Sequence, residues 1–119
     1  MLFRIKEREG DTMIVKHDHI TGKDLGGGVV RKVLASGGKM MAVEFTFANG
    51  SIGAIHSHPH EQIGYVAKGR FEATVGEQKA MIQEGDTYYV APNVMHGVVA
   101  LEDGVLIDVF TPQREDFLN

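Results

Sequence analysis

The stretch His56-Ser57-His58-Pro59-His60-Glu61-Gln62 sets three imidazoles within five residues and ends on an amide. On an extended chain, side chains two apart share a face, so His56 and His58 point jointly into one space. Gln62 stands at the start of the next predicted strand, and His96 follows the turn Ala91-Pro92-Asn93-Val94-Met95 at the head of another. Two imidazoles from one strand, an oxygen donor nearby and a third imidazole from a distant strand form the donor set of a mononuclear divalent-metal site, with His56, His58, Gln62 and His96 as ligands. That set suits Zn, Ni, Mn or Fe and does not choose among them. Pro59 turns the chain, which places His60 at the rim or behind the ligands. His17-Asp18-His19 repeats the His-x-His pattern before a glycine-rich stretch with no matching downstream ligand. It reads as a solvated loop.

The sequence around this stretch is built of short runs rich in Val, Ile, Phe, Tyr and Met, punctuated by 15 Gly and only 3 Pro. Many runs alternate with period two, the signature of half-buried strands. Phe71, Ala73 and Val75 oppose Arg70, Glu72 and Thr74; Met41, Val43, Phe45 and Phe47 oppose Ala42, Glu44, Thr46 and Ala48; Val105, Ile107 and Val109 oppose Leu106, Asp108 and Phe110. Strands are expected near 2–7, 12–16, 29–35, 39–48, 52–58, 62–68, 70–75, 79–83, 87–91, 96–101 and 104–110. No segment carries a sustained helical stripe, and no internal repeat is visible. Short strands at this spacing predict an all-β sandwich or closed barrel. Gly22 to Gly28 reads as a loop, and the polar tail after Pro112 as a helical turn. Tyr65 is read as a core residue or a pocket hydroxyl.

A chain of 119 residues is one domain's worth and buries roughly two-thirds of its unfolded surface, enough for a core without staples. Acidic residues number 16 against 12 Lys plus Arg, a formal charge of −4, which argues against a nucleic-acid or anionic-membrane surface. With no Cys there is neither a disulfide framework nor a thiolate metal site. The N-terminus is charged from Arg4 onward, unlike a signal peptide, and no apolar run approaches the ~20 residues that span a bilayer. A soluble, cytoplasmic, single domain is expected.

The spacing Gly50, five residues, His56-x-His58, three residues, Gln62, six residues, Gly69 resembles the first cupin motif, over about 50–69. Gly85-Asp86, a short strand and Pro92-Asn93-Val94-Met95-His96 resemble the second, over about 85–96. Gln62 stands where that pattern has Glu, Ala91 where it has Pro, and Asn93 where it has Gly. Asn is the next-best residue for a left-handed turn. The resemblance implies one cupin domain over 1–119, a small jelly-roll β-barrel. An amide leaves the full 2+ charge on an ion that a carboxylate would partly neutralise, making a stronger Lewis acid for anionic oxygens. It also departs from the two-His-one-carboxylate set of many non-haem iron oxygenases.

Asp108 interrupts the apolar run Val105-Leu-Ile-Asp-Val-Phe110, and Arg114 follows six residues later. A carboxylate on a half-buried strand is costly unless it is paired or used, and an Arg can clamp a substrate carboxylate. From residue types alone, an Asp108–Arg114 structural pair and a catalytic role are equally open. His-Ser-His-Pro-His-Glu-Gln-Ile-Gly-Tyr-Val together with Asp108-x-Phe110-x-Pro112-x-Arg114-Glu-Asp-Phe resembles the pectin-degradation cupins. That resemblance implies Gln62 as a metal ligand and Asp108, Phe110 and Arg114 as active-site residues. It implies metal-dependent ring opening and ketonisation of 4,5-unsaturated monouronates from pectin or alginate. The competing expectations are a cupin dioxygenase and a non-catalytic module that binds a small acid or sugar. The expected partner is a small anionic carbohydrate, with no nucleic acid and no membrane. Cupins of this size are commonly dimers, and Arg4 to Glu9 is read as a guard or swap at a sheet edge.

Overall fold

The computed structural model describes residues 13–118. Period-two alternation becomes ten strands in chain order: β1 (Lys23–Gly26), β2 (Val29–Gly37), β3 (Met40–Phe47), β4 (Ile52–His56), β5 (Glu61–Lys68), β6 (Arg70–Val75), β7 (Gln78–Gln83), β8 (Thr87–Val90), β9 (His96–Ala100) and β10 (Gly104–Thr111). They form two antiparallel sheets, one ordered β1-β2-β3-β10-β5-β8 and the other β4-β9-β6-β7. The sheets pack face to face as a jelly-roll barrel, the all-β architecture expected from the strand pattern. Among the described residues no helix is long and apolar enough to cross a membrane.

Strand β10 shows how the alternation works: Leu106, Asp108 and Phe110 are buried, while Val105, Ile107 and Val109 between them are only partly covered. One inward cluster gathers Val29, Phe47, Val66, Phe71, Ala100 and Leu106 and fills one end of the barrel. The Phe47 and Phe71 rings meet edge to face at 5.3 Å, the arrangement that suits their quadrupoles. A second cluster, Met41, Val43 and Phe110 with Val33, Phe45 and Phe117 against it, occupies the other end. Asp108 falls between the two in the β10 register, so the last strand carries its one charge into the middle of the barrel.

Several expectations need correction. Gly22 to Gly28 is not all loop: residues 23–26 pair with β2 across a bulge, and the Gly26 N–H donates to the Asp24 carboxylate at 2.8 Å. No strand covers 13–16; these residues lead into a 3-10 turn at His17–His19. Strand β4 ends at His56, so His58 lies in the following loop, where Pro59 has no N–H to continue a ladder. The tail does form a 3-10 turn, Glu115–Phe117. The expected strand at 2–7 and the edge guard Arg4 to Glu9 lie outside the described residues. Tyr65 faces outward at 46% exposure and is neither core nor pocket.

Candidate functional site

His56 and His96 are register partners on β4 and β9, so their side chains leave neighbouring strands on the same face. Their ring centroids stand 4.3 Å apart, and the His58 ring lies 4.7 Å from that of His96. Each ring turns its Nδ1 to a main-chain carbonyl two residues away: His56 to Ala54 at 2.8 Å, His58 to His60 at 3.2 Å and His96 to Val94 at 2.9 Å. Such contacts fix ring orientation and favour the tautomer with the proton on Nδ1. One ligating nitrogen from each of the three lies within 4.8 Å of the others.

Burial pushes the His96 pKa down to about 4, although the Val94 carbonyl favours the charged ring. Burial likewise lowers the pKa of His58. Both rings are therefore neutral near pH 7 and present lone pairs. His96 Nε2 is buried and has no hydrogen-bond partner. A buried nitrogen of this kind is costly unless something occupies its lone pair.

Gln62 makes the same point more sharply. His58 Nε2 lies 2.9 Å from the amide oxygen of Gln62, while His58 Nδ1 faces the His60 carbonyl. A neutral imidazole has one N–H, so one of these two contacts sets lone pair against lone pair. Turning the amide would bring its oxygen toward the Asp108 carboxylate, whose charged form Gln62 favours in its present orientation. Protonating His58 is opposed by its burial. A cation shared by His58 Nε2 and the Gln62 oxygen removes the conflict, and His56, His58, His96 and Gln62 together fit such an ion.

The imidazoles come from the four-stranded sheet and the loop leaving it, whereas among the described residues the other polar side chains lining the cavity, Gln62, Tyr88, Asp108, Arg31 and Arg114, come from the six-stranded sheet or the tail. This cavity of about 300 Å³ opens between, lined by His56, His96, Gln62, Tyr88, Asp108, Phe110, Arg31, Arg114 and Phe117, among others. Asp108 is 4% exposed and accepts a hydrogen bond from the Tyr88 hydroxyl at 3.0 Å. Burial raises its pKa to about 6, against the opposing pull of Gln62, Tyr88 and the Arg114 charge. Burial, with the Asp108 charge beside it, drives the Tyr88 phenol upward, so it stays a donor. The Tyr88 ring lies over Gly64, its register partner on β5, in the space where any side chain would sit.

Arg114 does not form a hydrogen-bonded pair with Asp108. It grips Asp116 with two bonds, Nε at 3.1 Å and Nη2 at 3.0 Å, and its Cζ lies 5.2 Å from the Phe110 centroid. His60 keeps to the rim: its ring packs edge to face on His58 and Phe110, and its buried Nδ1 has no partner. His17 lies apart from the triad and pairs with Glu44 at 3.0 Å. All seven residues singled out from the sequence, His56, His58, Gln62, His96, Asp108, Phe110 and Arg114, thus gather around one cavity, His58 through its place in the imidazole triad.

Tyr88, Arg31 and Phe117 escaped the sequence reading. The signal for Tyr88 lay in the alternation of Thr87-Tyr88-Tyr89-Val90, which points Tyr88 inward opposite a glycine. Arg31 sits in the inward register between Val29 and Val33, a charge in an apolar row like Asp108.

A family model described as "Cupin domain" matches residues 43–110. The chain is 46% identical over 103 residues to a pectin degradation protein, KdgF, of Dickeya dadantii, covering 85% of this chain and 94% of that one. Among solved structures it is similar to an RmlC-like cupin from Shewanella frigidimarina, with a TM-score of 0.86 and 37% identity over 89% of this chain and 96% of the other. It is also similar to KdgF from Halomonas sp., with a TM-score of 0.85 and 36% identity over 89% of this chain and 98% of the other.

Proposed function

The chain belongs to the cupin domain family, and from that premise we propose that it acts in pectin breakdown, opening and ketonising 4,5-unsaturated monouronates to linear 5-keto-4-deoxyuronates. One observation carries the reading: a buried carboxylate and a guanidinium share a single cavity with the imidazole triad. The similarity to a pectin degradation protein supports the substrate class. A cavity of about 300 Å³ lies at the small end of ligand sites, the size for a monosaccharide. On this reading the protein works in the cytoplasm, as a dimer, on a small anionic carbohydrate.

In such a substrate the C4=C5 double bond makes the ring oxygen part of an enol ether. Loss of the anomeric hydroxyl proton with cleavage of the C1–O5 bond leaves an aldehyde at C1 and an enolate at the C5 oxygen. A proton arriving at C4 completes the C5 ketone. Every atom is retained and no electrons leave, so the reaction is an isomerisation. Asp108 is the group that takes the proton from the anomeric oxygen and delivers one to C4. A carboxyl titrating at about 6 is ionised near neutrality yet still a serviceable acid. Tyr88 holds the Asp108 carboxylate in place through its hydroxyl. Arg114 orients the substrate carboxylate, and Phe110 forms an apolar wall against the ring. What an ion on His56, His58, Gln62 and His96 supplies is Lewis acidity toward the carboxylate and the developing enolate oxygen.

The test is to add the protein to unsaturated monouronates freshly made by a lyase and follow loss of the C4=C5 ultraviolet absorbance. A rate above the spontaneous one, abolished by chelator and by Asp108→Ala at normal metal content, is the expected result. A rate equal to the spontaneous one, with metal bound, overturns the reading.

A further inference from the structure

We propose that Arg31 is a second guanidinium for the ligand's carboxylate, sharing its recognition with Arg114 and setting the preference for acidic over neutral sugars. The inference rests on the reading above and names a determinant of specificity within that site.

Arg31 leaves β2 in the inward register and lines the same cavity as Asp108 and Arg114. Its Cζ lies 4.1 Å from the centroid of Phe117, and the Cζ of Arg114 lies 4.1 Å from the same centroid. Both guanidiniums therefore pack on one ring, and Phe117 is itself held edge to face by Phe45 and Phe110. The surroundings of Arg31 tell against a purely structural cation. Burial disfavours its charge, Asp116 supports it, and Arg114 opposes it. Asp116 is already engaged by two hydrogen bonds to Arg114. Among the described residues Asp116 thus answers both guanidiniums, while Asp108, the other carboxylate of the cavity, makes its hydrogen bond with Tyr88 instead, and a ligand bringing a further carboxylate balances the pair. Guanidiniums recognise carboxylates through paired N–H donors, a geometry that a neutral hydroxymethyl group cannot satisfy.

The experiment measures binding and turnover separately in the metal-loaded, full-length protein. Binding is read by calorimetry with two non-reacting probes, galacturonate and galactose, for wild type, Arg31→Gln and Arg31→Lys. Turnover is read with the unsaturated monouronate. Loss of one charge-assisted contact should weaken galacturonate about ten- to hundredfold and leave galactose unchanged in Arg31→Gln. KM for the unsaturated uronate should rise similarly with kcat within about twofold. Arg31→Lys, which keeps the charge and most of the stem, should fall between the two and covers the case in which Arg31→Gln does not fold. Equal galacturonate binding in wild type and both variants overturns the proposal. So does an equal loss for both sugars, which would mean that Arg31 only braces Phe117. If galacturonate binding depends on Arg31 while wild type shows no ketonisation, the reaction assignment fails and this inference stands. If wild type turns over and the Arg31 variants match it in KM, the inference fails and the reaction assignment stands.

Discussion

Replacing Gly64 with Ala tests the architecture of the site through a single methyl group. Gly64 has no positive φ, so Ala meets no backbone strain there and, in open space, would stabilise by about 0.4–1 kcal/mol through the unfolded chain. Space decides otherwise. A Cβ on Gly64 would fall within 2.5 Å of three atoms of the Tyr88 side chain, Cζ, Cε2 and the hydroxyl oxygen, nearer than real Cβ atoms come. The ring has to move by roughly 1.5 Å to restore ordinary contact at ~3.5 Å. Overpacking of this kind costs about 1–3 kcal/mol. The displaced hydroxyl also leaves the buried Asp108 short of a donor, a further cost of about 1–3 kcal/mol. Urea denaturation in chelator should therefore show a net loss of about 1–5 kcal/mol. If Tyr88 is the cause, the loss must depend on it, because contacting residues are not additive. In a Tyr88→Ala background, Gly64→Ala should cost less than about 0.5 kcal/mol. A loss that persists undiminished in that background, or no loss in the wild-type one, would refute the reasoning.

Two further outcomes follow from the charges. Asp108 titrates at about 6 in the folded chain and about 3.9 unfolded, so the folded state holds its proton more tightly and stability from this group falls as pH rises from about 4 to 6. In chelator, the stability of Asp108→Asn relative to wild type should accordingly improve by about 2 kcal/mol between pH 4 and pH 8; a pH-independent difference would contradict the burial argument. His96→Ala removes the imidazole whose buried Nε2 has no other partner. Metal retained after dialysis, measured by elemental analysis, should fall at least tenfold, and undiminished retention would show that His96 is not a ligand.

The sequence announced the barrel because alternation survives folding: the inward rows of β5, β6 and β10 are the residues that period two selects. The triad was legible because His56 and His58 stand two apart on an extended run and His96 heads another predicted strand after a turn. Asn93, standing where the cupin pattern has glycine, takes φ +66° and donates its N–H to the His58 carbonyl at 2.7 Å, so the departure keeps the turn. What stayed hidden depends on contacts between distant segments. That Arg114 would grip Asp116 and leave Asp108 to Tyr88 is decided by how β8 and the tail pack, which no local pattern encodes. Strand β1 carries no alternation because all four of its residues are exposed and glycines flank it, and the aromatic ring of Tyr65 suggests a burial that its register denies.

The three imidazoles take their orientation from the main chain of their own half of the barrel, and the groups that would meet a ligand belong to the other half and the tail. Holder and tool are thus separable parts. Substitutions on β2, β8 and β10 can redraw what the cavity accepts without turning a single imidazole, Gln62 on β5 being the one group of that half that meets an imidazole directly. A barrel divided in this way offers an evolving lineage, or a designer, a fixed socket into which different chemistries can be fitted one strand at a time.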